Sequence, residues 1–204
     1  MRWSHLYGSG TMKEESGQIL TRWLLAATFG LVASGLVAIK LIGGVPMSPD
    51  AWAYWEGSAS FLNGAGYRYL DGTPIRDWPP LFSLYLAAVQ KLFGVSGLSL
   101  VVANALLAFF AATLWVRLSF VLIRSGPSRT RFVYTLLAGA FLSASVAYFV
   151  SAPLADNLKL ALSPVLILSL LGCVESDERL VNNRAFWSMI LTSVMLLLVH
   201  NSSW

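Results

Sequence analysis

Long stretches without a charged residue are the feature that most constrains how this chain can fold. Four of them cover residues 23–39, 92–116, 132–155 and 185–204, and a shorter fifth covers 160–174. A segment of about 18 or more mostly apolar residues is long enough to cross a bilayer. Only 12% of the 204 residues are charged, roughly half the share in a soluble globular protein. The sequence therefore predicts an all-α, polytopic membrane protein and excludes a soluble domain, a disordered chain and a coiled coil.

We predict about five transmembrane helices in a single membrane domain, residues 1–204. The expected spans are residues 20–43, 98–123, 132–150, 157–174 and 185–202. Basic residues favour the cytoplasmic ends of spans, and they occur before the first span, at 124–131 and at 175–184. This distribution predicts a cytoplasmic N-terminus, with the loop 44–97 on the non-cytoplasmic side. We expect the first span to be a retained anchor rather than a cleaved signal peptide.

The net charge of +4 does not indicate a nucleic-acid-binding protein, because basic residues cluster between apolar spans, where they set membrane orientation. No nucleic-acid partner is expected. Cys173 is the only cysteine, which rules out an internal disulfide and a multi-cysteine metal site.

Residues 80–93 are apolar but short. Fourteen residues of helix reach only about 21 Å, against a hydrocarbon core of about 30 Å. One helical face of this segment is apolar, with Ser83 and Gln90 opposite it and Lys91 at its edge; the apolar positions are Leu81, Leu84, Tyr85, Ala88 and Leu92. We predict an interfacial or re-entrant helix at the outer boundary. A complete crossing is the alternative, and it would place the arginine-rich loop 124–131 outside.

A second short helix is predicted to begin at Ser48. Ser48 is a good N-cap, Pro49 suits the first helical position, and Asp50 lies in the first turn, where the helix dipole favours an anion. Trp52, Trp55, Ala59 and Leu62 form a stripe at helical spacing, typical of an amphipathic helix on the membrane surface. Asp50 is therefore either a helix-stabilising charge or a functional carboxylate.

Between the two short helices, Asp71-Gly72 predicts a turn and Pro79-Pro80 disfavours helix before Leu81. Arg68 and Arg76 flank this turn at the membrane boundary. Arginine pairs bind phosphate or diphosphate groups well, so both residues are candidate substrate-binding residues. The alternative is that they neutralise Asp71, Asp77 and anionic lipid head groups.

Several short motifs occur here in a characteristic order, and together they resemble the N-terminal part of the GT-C superfamily of membrane glycosyltransferases. The resemblance is to enzymes related to protein O-mannosyltransferases and aminoarabinose transferases, and it covers residues 20–97. Its residues are Asp50 and Tyr54; Leu62, Gly64, Gly66 and Tyr67; Pro79, Pro80 and Leu81; and Lys91, Leu92, Phe93 and Gly94. Ser151-Ala152-Pro153-Leu154 is similar to a Ser-Glu-Pro-Leu stretch of relatives, with Ala152 replacing the acidic residue.

The resemblance implies transfer of a sugar from a polyprenyl-phosphate donor to a lipid, glycan or protein acceptor on the outer face of the membrane. It implies that Asp50 is the catalytic carboxylate and that Arg68 or Arg76 stabilises charge on the donor phosphate. Tyr54, one helical turn after Asp50, is either a substrate-binding residue or an interfacial anchor. No Asp-x-Asp or Glu-Asp pair surrounds Asp50, so we expect a metal-independent reaction, with a divalent cation as the alternative. The expected location is a bacterial inner membrane, in a cell-envelope pathway.

Two other functions stay open at this point. The first is a non-catalytic membrane subunit that binds lipid or a partner protein through the loop 44–97. The second is a small transporter, which the spans favour less because Pro164 is their only mid-span proline and paired charges are scarce.

Members of the GT-C superfamily usually contain many more spans, so we expect this chain to correspond to a truncated enzyme. The sugar and the acceptor are not specified by the sequence.

Overall fold

The computed structural model describes residues 12–44, 47–124, 155–175 and 184–199. Regular structure within these ranges is helical, which confirms the predicted all-α class for the described part of the chain. Its helices are α1 (Met12–Ile42), α2 (Pro49–Leu62), α3 (Pro80–Phe93), α4 (Gly97–Arg124), α5 (Ala155–Glu175) and α6 (Arg184–Val199). The span predicted at 132–150 and most of the arginine-rich loop at 124–131 lie outside the described residues.

Three of the helices are long and apolar enough to cross a membrane. The spanning segments are Ile19–Ile42 in α1, Gly97–Val121 in α4 and Asp156–Cys173 in α5. They agree with three of the five predicted spans. Helix α6 is apolar but has 16 residues, or about 24 Å of helix. Helix α3 has 14 residues, as expected for an interfacial or re-entrant helix, and the total of five spans remains a prediction.

Helices α1 and α4 pack against each other in opposite directions. Near the start of α1, Trp23 lies under the guanidinium group of Arg117, 4.0 Å from the ring centroid. At the middle of α1, a Cβ added to Gly30 would overlap the Thr113 hydroxyl and lie 2.8 Å from a backbone carbonyl of α4. A small residue at this crossing lets the two backbones approach closely, which is a common basis of helix association in membranes.

Buried polar side chains join the other long helices. Asn157 of α5 donates a hydrogen bond of 2.8 Å to the side-chain oxygen of Asn104 in α4, and both residues are fully buried. Between α5 and α6, the Ser169 hydroxyl donates to the Ser188 hydroxyl at 2.9 Å. Such bonds hold helices together where hydrophobic burial gives little preference for protein over lipid.

The outer helices α2 and α3 meet the bundle at one of its ends. A single buried cluster contains Tyr54 of α2 and Phe82 of α3 together with side chains from four long helices: Val37, Leu41, Val101, Leu107, Ala108, Ala111, Leu158, Ala161 and Val199. The end of α1, the start of α4, the start of α5 and the end of α6 therefore lie beside the helices of loop 44–97. The loop 44–97 and the start of α5 thus lie at the same end of the bundle. Asp156 and Lys159, three residues apart at the start of α5, form an ion pair at 2.7 Å.

A proline inside α5 accounts for one contact between α4 and α5. Pro164 has no backbone N–H, so the carbonyl of Leu160, four residues earlier, loses its helical donor. The indole Nε1 of Trp115 donates to that carbonyl at 3.2 Å. The side chain from α4 thus satisfies an acceptor that would otherwise be unpaired in an apolar environment.

We expect Trp115→Phe to lower the free energy of unfolding by about 1 kcal/mol, since it leaves the Leu160 carbonyl without a donor. Thermal unfolding of the detergent-solubilised protein measures the loss. In a Pro164→Ala background the helix supplies its own donor, and the same substitution should then cost clearly less. Equal costs in the two backgrounds would show that the indole hydrogen bond is not the source of the effect.

Candidate functional site

The start of α2 is built as the sequence predicts. Ser48 has extended backbone angles, and its hydroxyl accepts a hydrogen bond from the Ala51 N–H at 3.2 Å. Pro49 occupies the first helical position and Asp50 lies in the first turn, partly buried. The cap and the proline fix the position of the backbone that presents the Asp50 carboxylate.

Helices α2 and α3 pack in opposite directions. Tyr54 is only 1% exposed, and its ring makes edge contacts with Phe82 and Trp78 at centroid distances of 5.1 and 6.1 Å. The Ser83 hydroxyl donates to the Tyr54 carbonyl at 3.0 Å. Tyr67 contacts Phe61 near the end of α2, and its hydroxyl donates to the Pro79 carbonyl at the start of α3 at 3.4 Å. The N-terminal turn of α2 therefore lies toward the C-terminal half of α3.

The buried face of α3 includes the polar residues that the sequence places opposite its apolar stripe. Ser83 and Gln90 are 0% and 2% exposed, whereas Leu84 and Leu92 are 45% and 79% exposed. This arrangement suits a membrane boundary. Apolar side chains that are not covered by protein can contact lipid there, whereas polar side chains avoid lipid by packing inside the protein. The predicted apolar stripe is divided: Leu84, Ala88 and Leu92 are exposed, whereas Leu81 and Tyr85 pack against the protein core. The covered face is itself mainly apolar, and Ser83 and Gln90 lie in it among Phe82, Leu86, Ala87 and Val89.

The segment after α2 forms a short hairpin, residues 67–75, here called the outer hairpin. The N–H of Tyr69 donates to the Thr73 carbonyl at 2.9 Å, and the N–H of Ile75 donates to the Tyr67 carbonyl at 3.2 Å. At its tip, the Asp71 carboxylate accepts hydrogen bonds from the Thr73 hydroxyl and N–H at 2.6 and 2.8 Å. These bonds lower the pKa of Asp71, with the hydroxyl bond the larger cause. The predicted Asp71-Gly72 turn is confirmed, with Gly72 at φ 86°.

The outer hairpin is docked onto α2. The Tyr67 ring stacks on Phe61 at a centroid distance of 5.3 Å and lies against Gly57, where an added Cβ would overlap the ring. Burial raises the pKa of Tyr67 to about 12. Glu56 of α2 accepts a hydrogen bond from the Leu70 N–H at 3.0 Å. Helix α2, the outer hairpin and α3 therefore form one packed unit at the end of the bundle.

The four residues predicted for the site occupy different environments in this unit. Asp50 is partly buried, and its carboxylate makes no hydrogen bond or ion pair with the residues that the structure describes. Tyr54 is buried in the protein core. Arg68 is exposed and donates to the Gly72 carbonyl at 3.4 Å, and Arg76 is exposed where the hairpin ends. Neither arginine forms an ion pair with Asp71 or Asp77 in the described part of the chain.

Two further polar residues belong to this region and were not predicted. Glu56 holds the hairpin through the Leu70 N–H, and Gln90 has both side-chain polar atoms buried without a hydrogen-bond partner. The spacing of Gln90, seven residues after Ser83, placed both on one helical face. The sequence did not indicate that this face would be covered, because a polar face on a short surface helix usually points to water.

Asp50 and Gln90 lie at the same end of the α2–α3 interface. One strip of α2 carries Asp50, Tyr54, Gly57 and Phe61. Tyr54 contacts Phe82 of α3, and Gly57 and Phe61 contact Tyr67 in the segment that leads into α3. Antiparallel packing directs the Asp50 end of this strip toward the second half of α3. Gln90 lies there, two turns beyond Ser83.

Comparison with known proteins identifies no relative of this chain. No family model matches it, no curated protein is significantly similar to it, and no solved structure significantly resembles it. Among the residues that the structure describes, no group of three or more His, Cys, Asp and Glu side chains is arranged to hold a metal ion. The assignment of function therefore depends on the chemistry of the site and on the motif resemblance.

We expect Gly57→Ala to displace the outer hairpin, because the new methyl group would overlap the Tyr67 ring and lie 3.1 Å from Ile75. Limited proteolysis in membranes should then cut between residues 67 and 76 at least about tenfold faster than in the wild type, as an opening free energy lowered by about 1.4 kcal/mol implies. Gly35→Ala is the matched control, since it adds a methyl group to α1 with no atom within 4 Å. Equal cleavage rates in both variants would contradict the docking of the hairpin.

Proposed function

We propose that this protein is a membrane glycosyltransferase of GT-C type, which transfers a sugar from a polyprenyl-phosphate donor to an acceptor on the non-cytoplasmic face. The observation that most supports this function is the Asp50 carboxylate. It is held in the first turn of a capped helix, partly exposed, and free of protein partners among the described residues. The same charge stabilises the helix N-terminus through the helix dipole, and its partial exposure leaves it accessible to a substrate.

The reaction requires that the bond between the sugar C1 and the phosphate oxygen breaks while a bond from C1 to the acceptor forms. Asp50 would accept a hydrogen bond from the acceptor hydroxyl or amine and take up its proton as the new bond forms. The leaving group is the polyprenyl phosphate. The position at a helix N-terminus stabilises the charged form of the carboxylate, so orientation of the acceptor contributes more than strong basicity.

Arg68 and Arg76 are the candidates for binding the donor phosphate. Both guanidinium groups are exposed on the same packed unit as Asp50, and the backbone of the outer hairpin is fixed by its own hydrogen bonds. A guanidinium group can form two parallel hydrogen bonds to a phosphate and stabilise the charge that develops as the bond to C1 breaks. Tyr54 supports the site by anchoring α2, since its ring is buried in the core.

The alternative function is a non-catalytic subunit that binds lipid through the outer helices. Exposed apolar residues on these helices, Trp52, Leu84 and Leu92, favour contact with a membrane surface. This contact is also expected of the enzyme, so only a test of chemistry separates the two functions.

We expect Asp50→Asn to lower sugar transfer by about 100-fold or more, since it removes the proton acceptor and keeps the side-chain size. The assay measures transfer from radiolabelled polyprenyl-phosphate sugars in membranes that contain the full chain. Asp77→Asn, on an exposed carboxylate of the same loop, is the control and should remain active. Unchanged transfer by the Asp50 variant would eliminate the catalytic role, and a wild type without activity would favour the subunit.

Arg68→Ala and Arg76→Ala should each raise the KM for the donor, by about tenfold at the arginine that contacts the phosphate. Lys91→Ala, which removes an exposed cation from the last turn of α3, should leave the KM unchanged. Donor titrations in nanodiscs of neutral lipid measure the effect without competition from anionic head groups. If all three substitutions weaken binding equally, the arginines contribute only general positive charge.

A further inference from the structure

The Gln90 side chain is exceptional among the buried polar groups of the outer helices. It is 2% exposed, and neither its carboxamide oxygen nor its nitrogen has a hydrogen-bond partner among the described residues. Ser83, on the same face, donates to the Tyr54 carbonyl. A buried amide with both functions unpaired is costly, so such a group requires an explanation.

The position of Gln90 follows from the packing of α2 on α3. Ser83 faces α2 through its hydrogen bond to the Tyr54 carbonyl, and Gln90 lies two turns farther along the same strip of α3. The helices are antiparallel, so this part of α3 faces the first turn of α2. The strip of α3 that carries Gln90 therefore runs toward the end of α2 that presents Asp50, whose carboxylate has no protein partner in the described part of the chain.

We propose that Gln90 binds hydroxyl groups of the donor sugar at the junction of α2 and α3, together with one oxygen of the Asp50 carboxylate, while the other Asp50 oxygen accepts from the acceptor nucleophile. This inference rests on the proposed function and specifies the substrate group that the site recognises. A carboxamide offers one acceptor and two N–H donors, whereas a carboxylate only accepts. A pair of neighbouring hydroxyl groups, each able to donate and accept, satisfies both side chains at once.

A phosphate group does not fit this pair. A phosphate oxygen only accepts hydrogen bonds, so it would leave the Gln90 oxygen unpaired, and its charge would be repelled by the Asp50 carboxylate. The donor phosphate is instead expected at the exposed arginines. We therefore expect the two parts of the donor to bind at different places, the sugar between α2 and α3 and the phosphate beside the outer hairpin.

Met47 adjoins the start of α2, and we expect it to move when a sugar reaches Gln90. It is half-buried and packs against a buried cluster that includes Leu86 and Val89 of α3. Methionine is unbranched and has several rotatable bonds, so it can move aside at low cost. Asp50, which is partly exposed at the same end, would meet the sugar first.

The test compares Gln90→Leu with Thr113→Val in nanodiscs. Thr113 is the matched control, because its hydroxyl is also buried without a partner in the described structure but lies where α4 passes Gly30 of α1. Both substitutions remove an unpaired polar group, so each should maintain or raise the unfolding temperature. Probes are radiolabelled polyprenyl-phosphate glucose, polyprenyl-phosphate mannose and sugar-free polyprenyl phosphate.

We expect Gln90→Leu to weaken binding of at least one sugar-linked probe about tenfold, and to leave binding of sugar-free polyprenyl phosphate unchanged. Thr113→Val should bind all three probes like the wild type. Equal binding by the wild type and Gln90→Leu overturns the inference, as does a wild type that binds neither sugar-linked probe. A lower unfolding temperature for Gln90→Leu also overturns it, because Gln90 would then have a structural partner.

Transfer measured on the same preparations separates this inference from the proposed function. A wild type that binds a sugar-linked probe through Gln90 but transfers nothing supports the sugar site and contradicts the enzyme. A wild type that transfers sugar while Gln90→Leu transfers and binds equally well supports the enzyme and contradicts the sugar site.

Discussion

The burial of Tyr54 is the interaction on which the outer part of this protein depends. Its ring lies in a cluster with side chains from α1, α3, α4, α5 and α6, and its carbonyl accepts the Ser83 hydroxyl. A short helix at a membrane surface has little stability of its own, so α2 is ordered chiefly by this packing. Because the first turn of α2 presents Asp50, the position of that carboxylate is set by the core of the bundle.

The polar contacts in the bundle follow from the lack of hydrogen-bonding groups in lipid. Lipid offers no hydrogen bonds, so buried polar groups must find partners within the protein. The hydrogen bond from the Asn157 amide to the Asn104 oxygen and the Trp115 bond to the carbonyl freed by Pro164 meet this requirement. Gln90 has no hydrogen-bond partner in the described part of the chain, and its face of α3 runs toward the end of α2 that presents Asp50. We assign a ligand to this region because Gln90 lacks hydrogen-bond partners among the described residues and the interface that buries it also carries the candidate catalytic carboxylate.

Much of the local structure could be predicted from the sequence. The Ser48 cap, the Asp71-Gly72 turn and the extent of the helix over residues 80–93 depend on neighbouring residues, and all three were found. Three predicted spans were found because their apolar length alone determines them. The coverage of the α3 polar face could not be predicted, since periodicity identifies two faces without identifying what lies against each.

The sequence by itself determined that this is a helical membrane protein with two short helices in one loop, because hydropathy, capping and turn chemistry act over short distances. Only the tertiary structure decided which polar groups are brought together. It buried Tyr54 and Gln90 and left Arg68 and Arg76 exposed. Those outcomes depend on the antiparallel packing of α2 on α3, a long-range contact that local patterns do not specify.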